Sequence, residues 1–160
     1  MASSSSTSVK TYDVFISFRG PDTRWGFTNT LHKALGDKGI KVFIDKDDLK
    51  KGDEISPVLL EAIKASAISI IVFSENYAQS RWCLDELNHI VRCMKEDKQR
   101  VIPVFYKVDP RNIRHQKRSF EVAFSELETR FGHDSEKLKM WRESLRATAD
   151  LSGFNSGDAR

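Results

Sequence analysis

Four short apolar runs, separated by stretches of helical periodicity, constrain this chain more than any other feature. Residues 12–18, 40–44, 68–73 and 100–105 have the length and composition of strands. Between the first two runs, Phe27, Leu31, Ala34 and Leu35 recur at helical spacing, predicting a helix over 25–38. Gly39 stands where a C-terminal stop is expected. Ser56-Pro57 marks a second helix start, with Leu59, Leu60 and Ile63 as its buried stripe. Leu84, Leu87, Ile90, Val91 and Met94 define a third helix over 81–95, capped by Ser80. Residues 106–116 read as a loop. Residues 117–130 and 135–152 read as helices, the last with Leu138, Trp141 and Leu145 facing in.

Strands alternating with helices imply an α/β fold, a flavodoxin-like three-layer sandwich. Its parallel sheet has four to five strands and helices on both faces. The expected strand order is 2-1-3-4, with a fifth beyond. Pro103 removes a ladder donor, so the fourth run should lie near a sheet edge. In this order the connections reverse direction between strands one and three, and ligands bind there, outside the carboxyl ends. The turn after Phe18 (Arg19 to Arg24) then faces the loop after Phe73. Arg19, Gly20, Ser80, Trp82 and Glu86 converge on one crevice.

The 160 residues suffice for one domain with a real core, and the net charge of +3 does not mark a dedicated nucleic-acid binder. Cys83 and Cys93 are ten positions apart on one predicted helix, about 15 Å along its axis, so they cannot pair. A reduced, cytoplasmic or nuclear protein is expected. No apolar run has the length of a membrane span, and the four histidines are scattered, with no metal-ligand spacing. Residues 1–10 read as a disordered Ser-rich lead, 11–154 as the domain, and 155–160 as the start of a linker to a further region.

The crevice suggests chemistry. Arg19 beside Gly20 offers a planar fork for a phosphate or carboxylate, with room for close backbone approach. Trp82 offers a stacking face for a flat heteroaromatic ring. Glu86 offers a carboxylate near a sugar. Together they suit a nucleotide whose glycosidic bond breaks through an oxocarbenium-like state. A single acid suffices where the leaving group is already cationic, as is nicotinamide in NAD+. The bland alternative pairs Arg19 with Asp22 or Asp85 and leaves Trp82 to pack. Other chemistries lack their parts. There is no Gly-rich phosphate loop, and the third strand ends in Phe73-Ser74-Glu75 where a phosphoacceptor would need Asp. Cys83 has no evident His base; His89, six residues on, falls roughly on the opposite face of the helix. Arg111, Arg114, His115, Lys117 and Arg118 form a basic cluster that reads as a solvated loop or as a phosphate contact.

Tyr12-Asp13-Val14-Phe15-Ile16-Ser17-Phe18-Arg19-Gly20-Pro21-Asp22-Thr23-Arg24 closely resembles the opening motif of plant TIR domains. Residues 45–55 resemble their BB loop, 80–87 their active-site helix start, and 100–110 their fourth-strand motif. The resemblance covers about residues 11–154. It implies the N-terminal domain of a nucleotide-binding leucine-rich-repeat immune receptor, or a TIR-only protein. The implied activity is an NAD+ or NADP+ glycohydrolase that works on self-association, with NAD+ or NADP+ as substrate and no cofactor or metal. Its products would be nicotinamide and ADP-ribose-type or cyclic ADP-ribose-type signalling nucleotides. These would act on lipase-like helper heterodimers and lead to plant immune cell death.

By the same resemblance, Glu86 is the catalytic glutamate. Phe18, Arg19, Gly20, Ser80, Trp82 and Cys83 line the substrate pocket. Asp48, Lys51 and Gly52 belong to the BB loop, and many relatives carry Arg where Lys51 stands. Self-association, from dimer to tetramer, would use Trp25, Asn29, Thr30 and His32 on the first helix and Gly153 on the last. Asn29-Thr30 replaces a Ser-His pair found in some relatives. Trp25, Asn29 and His32 form a stripe off the core face, read either as an interface or as a half-buried Trp covering the sheet edge. Two other functions stand beside the hydrolase: a non-catalytic TIR–TIR scaffold, and cyclic-nucleotide synthesis on nucleic acid.

Overall fold

A computed structural model describes residues 10–45 and 55–156. Five parallel strands form one sheet: β1 (Tyr12–Ser17), β2 (Val42–Ile44), β3 (Ser66–Phe73), β4 (Arg100–Tyr106) and β5 (Phe154–Ser156). Their order is β2-β1-β3-β4-β5, the expected flavodoxin-like arrangement. Seven helices are described: α1 (Gly20–Thr23), α2 (Phe27–Asp37), α3 (Pro57–Lys64), α4 (Arg81–Glu96), α5 (Pro110–Arg114), α6 (Ser119–Phe131) and α7 (Glu136–Ala149).

The strand period of two sorts the core into two layers. Val14, Ile16, Ile70, Val72 and Val104 point to the side where Phe27, Leu31 and Leu35 of α2 pack. Phe15, Ile71, Phe73, Val101 and Phe105 point to the other side. There they meet Leu59 and Ile63 of α3, Leu84, Leu87 and Ile90 of α4, and Trp141 and Leu145 of α7. Each fully buried Leu or Ile in this layer contributes about 1.5–3 kcal/mol of apolar transfer. Phe73 stacks on Phe105 with ring centroids 5.9 Å apart and meets Tyr77 edge-on at 5.1 Å. Tyr77 opens a single 3₁₀ turn (Tyr77–Gln79) that delivers the chain from β3 into α4.

Several sequence expectations are corrected. β1 closes at Ser17, and residues 20–23, read as a turn, form the short α1. The first long helix starts at Phe27, so Trp25 precedes it. Ala34, expected in the core, is exposed, while Thr28 is buried and shares a 2.7 Å hydrogen bond with Thr23. The expected loop over 106–116 contains α5, whose cap Asp109 accepts from Arg111 N at 2.8 Å. Asp-Pro at a helix start carried that signal. The last helix stops at Ala149, and Gly153 lies off it, in the approach to β5. Residues 154–156 continue the sheet by pairing with Val104, Phe105 and Tyr106. Pro103 sits one residue before that ladder, on the strand next to the edge.

Gly153 packs against Pro103. A Cβ there would stand 2.1 Å from the Pro103 carbonyl oxygen and 2.7 Å from its ring. No side chain fits without displacing β5. We expect Gly153→Ala to destabilise the domain by about 1–3 kcal/mol, as overpacking does. Urea unfolding measures this, and an unchanged midpoint would show that the approach to β5 yields freely.

Candidate functional site

At the β1–β3 boundary a cavity of about 320 Å³ opens at the carboxyl ends of the strands. Phe18, Arg19, Gly20, Ser80, Trp82, Cys83 and Glu86 line it, together with Ile16, Pro21, Arg24, Asp45 and Gln79. All seven pocket residues expected from the sequence therefore border one space, and its size suits a small-molecule ligand.

Each wall has a local cause. Ser80 keeps an extended backbone, and its Oγ accepts from Cys83 N at 3.2 Å, so it caps α4 while facing the cavity. The cap fixes the phase of α4. Leu84, Leu87 and Ile90 then face the sheet, and Glu86, in the second turn, is carried inward with them. Only 3 % of Glu86 is exposed. A buried carboxylate requires donors, and one is the hydroxyl of Ser17, 2.8 Å from Oε1. Ser17 is fully buried at the end of β1 and shares a 2.8 Å hydrogen bond with the Tyr77 hydroxyl. Tyr77 lies 3.1 Å from the Cys83 carbonyl, to which it can donate. Cys83 is itself buried, with its thiol 3.4 Å from the Phe18 carbonyl, and among the described residues no histidine lines the cavity.

The loop after β1 is tied to the loop after β3 through Asp22. Its carboxylate accepts from Arg19 at 2.8 Å, from the Ser74 hydroxyl at 2.6 Å and from Asn76 N at 3.0 Å. Arg19 is thus ion-paired, as the bland alternative held, and still borders the cavity. Asp85 instead accepts from the Trp141 indole at 3.1 Å. Arg24 lies 4.9 Å over the Phe18 ring and donates to the Asp45 carbonyl at 2.9 Å, bridging to the end of β2. Arg81 lies 5.5 Å from the Trp82 ring centroid. Two guanidinium groups, of Arg19 and Arg24, thus border the cavity beside two carboxylates, of Asp45 and Glu86.

Sequence reasoning missed Ser17, Tyr77, Arg24 and Asp45. Ser17 had a signal: a hydroxyl directly after the apolar run Val14-Phe15-Ile16 at the carboxyl end of β1. Asp48, Lys51 and Gly52 lie outside the described residues. Of the first-helix stripe, Asn29 and Thr30 are exposed and His32 is half-buried. Trp25 is 87 % exposed, which overturns the reading of a half-buried sheet-edge cover. In the basic cluster, Arg111 pairs with Asp109 at 2.8 Å and Arg114 donates to the Ala149 carbonyl at 3.1 Å. Among the described residues no group of three or more metal-ligating side chains gathers, and no helix is long and apolar enough to cross a membrane.

A family model described as TIR domain matches residues 11–160. The chain belongs to the TIR domain family. It is 53 % identical over 153 residues to the TMV resistance protein N of Nicotiana glutinosa, covering 96 % of this chain and 13 % of that protein. It is 49 % identical over 162 residues to the disease resistance protein RPV1 of Vitis rotundifolia, covering 99 % and 11 %. The TIR domain thus spans about a tenth of the length of these curated relatives. Its fold superposes on the TIR domains of the activated Roq1 resistosome, which directly recognises the pathogen effector XopQ. There the TM-score is 0.84 and the identity 44 %, over 91 % of this chain and 87 % of that one.

Burial pushes the Tyr77 phenol well above its usual range, with the nearby Cys83 and Glu86 adding to the rise and the Ser17 hydrogen bond opposing it. Its folded-state pKa is therefore above the unfolded one. The associated stability is fully present below about pH 10 and is lost as pH rises through and beyond that value. We expect the TIR domain to lose more unfolding free energy between pH 9 and 11 than its Tyr77→Phe variant. Chemical denaturation across that range measures the difference, and parallel curves would contradict it.

Proposed function

We propose that this TIR domain cleaves the nicotinamide–ribose bond of NAD+ or NADP+ when self-associated, and that the reaction serves plant immune signalling. The observation that carries the reading is a buried carboxylate, Glu86, in the wall of a cavity that also holds Trp82, Arg19 and Arg24. The arginines suit the diphosphate and Trp82 suits a base. Glu86 suits the ribose whose C1′ becomes electron-poor as the bond breaks. Nicotinamide leaves as a neutral molecule and needs no general acid. Water then gives ADP-ribose, and an internal nucleophile gives a cyclic product. Lipase-like helper heterodimers are the proposed readers of these nucleotides. The resemblance to disease-resistance proteins supports the immune setting. The similarity to the TIR domains of the Roq1 resistosome supports work as an assembly.

A scaffold without catalysis is the second reading, favoured by the ion pair that already engages Arg19. Glu86 separates the two. We expect nicotinamide release from NAD+ to rise faster than linearly with protein concentration, and to fall at least a hundredfold in Glu86→Ala, about 2.7 kcal/mol of transition-state stabilisation. Equal, negligible release from both proteins under crowding would establish the scaffold instead.

Trp25 offers a test of assembly that spares the fold. Its side chain is almost wholly exposed, so Trp25→Ala costs the monomer little. We expect it to weaken self-association in analytical ultracentrifugation while the melting temperature stays within about 2 °C. A charge at Asn29 or His32 is expected to act the same way. Unchanged sedimentation and unchanged activity at matched concentration would remove this face from the assembly.

A further inference from the structure

Ser17 and Tyr77 are buried polar groups that the cleavage step described above does not use. They form a continuous chain to the carboxylate: Tyr77 Oη lies 2.8 Å from Ser17 Oγ, and Ser17 Oγ lies 2.8 Å from Glu86 Oε1. At the far end, Tyr77 Oη lies 3.1 Å from the Cys83 carbonyl. Each hydroxyl holds one proton and has two possible takers, so the chain has two complete arrangements. With Glu86 ionised, Ser17 donates to Oε1 and Tyr77 donates to Ser17. With Glu86 protonated, Glu86 donates to Ser17, Ser17 to Tyr77, and Tyr77 to the Cys83 carbonyl. In either arrangement both hydroxyl protons have an acceptor among these three contacts.

We propose that Ser17 and Tyr77 are positioning residues forming a reversible hydrogen-bond relay that supports Glu86 in both protonation states. The proposal rests on the glycohydrolase reading for its use. As the N-glycosidic bond breaks, its electron pair goes to the nicotinamide nitrogen. The oxygen of water bonds to C1′, and its proton passes to the Glu86 carboxylate. The relay then reverses direction, so the protonated acid is held as well as the carboxylate was. Loss of that proton to solvent restores the starting arrangement. NAD+ and water thus give nicotinamide, ADP-ribose and a proton.

The parts are held by packing. Ser17 points to the α4 side of the sheet because β1 alternates, with Phe15 on the same face and Ile16 on the other. The Tyr77 ring is fixed edge-on against Phe73, and both residues are fully buried. Among the described residues, the other titratable and charged groups at the cavity or beside Glu86 on α4 are Arg19 with its partner Asp22 and Arg24 after β1, Asp45 after β2, and Arg81, Cys83 and Asp85 on α4. Variants at Ser17 and Tyr77 leave all of these in place.

The experiment is a ¹³C titration of the Glu86 side-chain carboxyl, beside pH profiles of nicotinamide release by the assembled protein. In Ser17→Ala the carboxylate loses its donor. Its titration midpoint is expected to rise by about one pH unit, and kcat to fall about tenfold or more with KM within about twofold. Tyr77→Phe keeps the ring and loses only the hydroxyl. It is expected to raise the midpoint by less and lower kcat a few-fold, which keeps the test decisive should Ser17→Ala misfold. Midpoints that match the wild type in every folded variant would overturn the relay. Wild-type protein that releases no nicotinamide would overturn the glycohydrolase reading instead, and the titration would still decide the relay.

Discussion

The parallel pairing of β1 with β3 is the constraint on which the site depends. β2 lies on the far side of β1, so the chain must cross over β1 to begin β3. That crossing leaves the loops after β1 and β3 diverging, with space between them at the carboxyl ends. The pairing sets Ser17 beside Ile71, two residues before β3 ends, so the hydroxyl stands level with the turn that carries Tyr77. A register shift of one residue would send Ser17 to the α2 face and leave Glu86 without this donor.

Burial and polarity then act against each other in a controlled way. The α4 stripe of Leu84, Leu87 and Ile90 drives the helix onto the sheet and takes Glu86 with it. A carboxylate so deeply buried would be costly alone. Ser17 offsets part of that cost, and Asp22 holds the facing loops together through Arg19, Ser74 and Asn76. Hydroxyl partners already in place around a buried acid need to shift only their protons when charge moves during a reaction. The same packing that stabilises the fold therefore prepares the acid for the chemistry proposed for it.

Much of this was legible in the sequence because it rests on periodicity. Apolar runs alternating with helical stripes led to the strand order, and the order led to the crevice and to Arg19, Gly20, Ser80, Trp82 and Glu86, with Phe18 and Cys83 added by the family resemblance. What escaped depends on contacts between distant segments. Ser17 meets Glu86 across 69 positions, and a serine at a strand end looks ordinary until the partner is known. Trp25 was open to two readings, an interface residue or a half-buried cover of the sheet edge, and the second fails because α2 begins after it and leaves the ring in solvent. Ala34 fits the helical stripe but is exposed, while Leu31 and Leu35 on either side of it pack against the core. The short α5 was announced by Asp109-Pro110 and hidden by the charged residues around it.

The central claim is that Glu86 meets the ribose of a nicotinamide dinucleotide while Ser17 holds its carboxylate. A structure of the assembled TIR domain with a carbocyclic, uncleavable NAD+ analogue tests this most directly. The account predicts the nicotinamide-side ribose within hydrogen-bonding distance of the Glu86 carboxylate, the diphosphate near Arg19 or Arg24, and the Ser17–Glu86 hydrogen bond intact. An analogue bound elsewhere, or bound in the cavity with Glu86 turned away from the ribose, would contradict it.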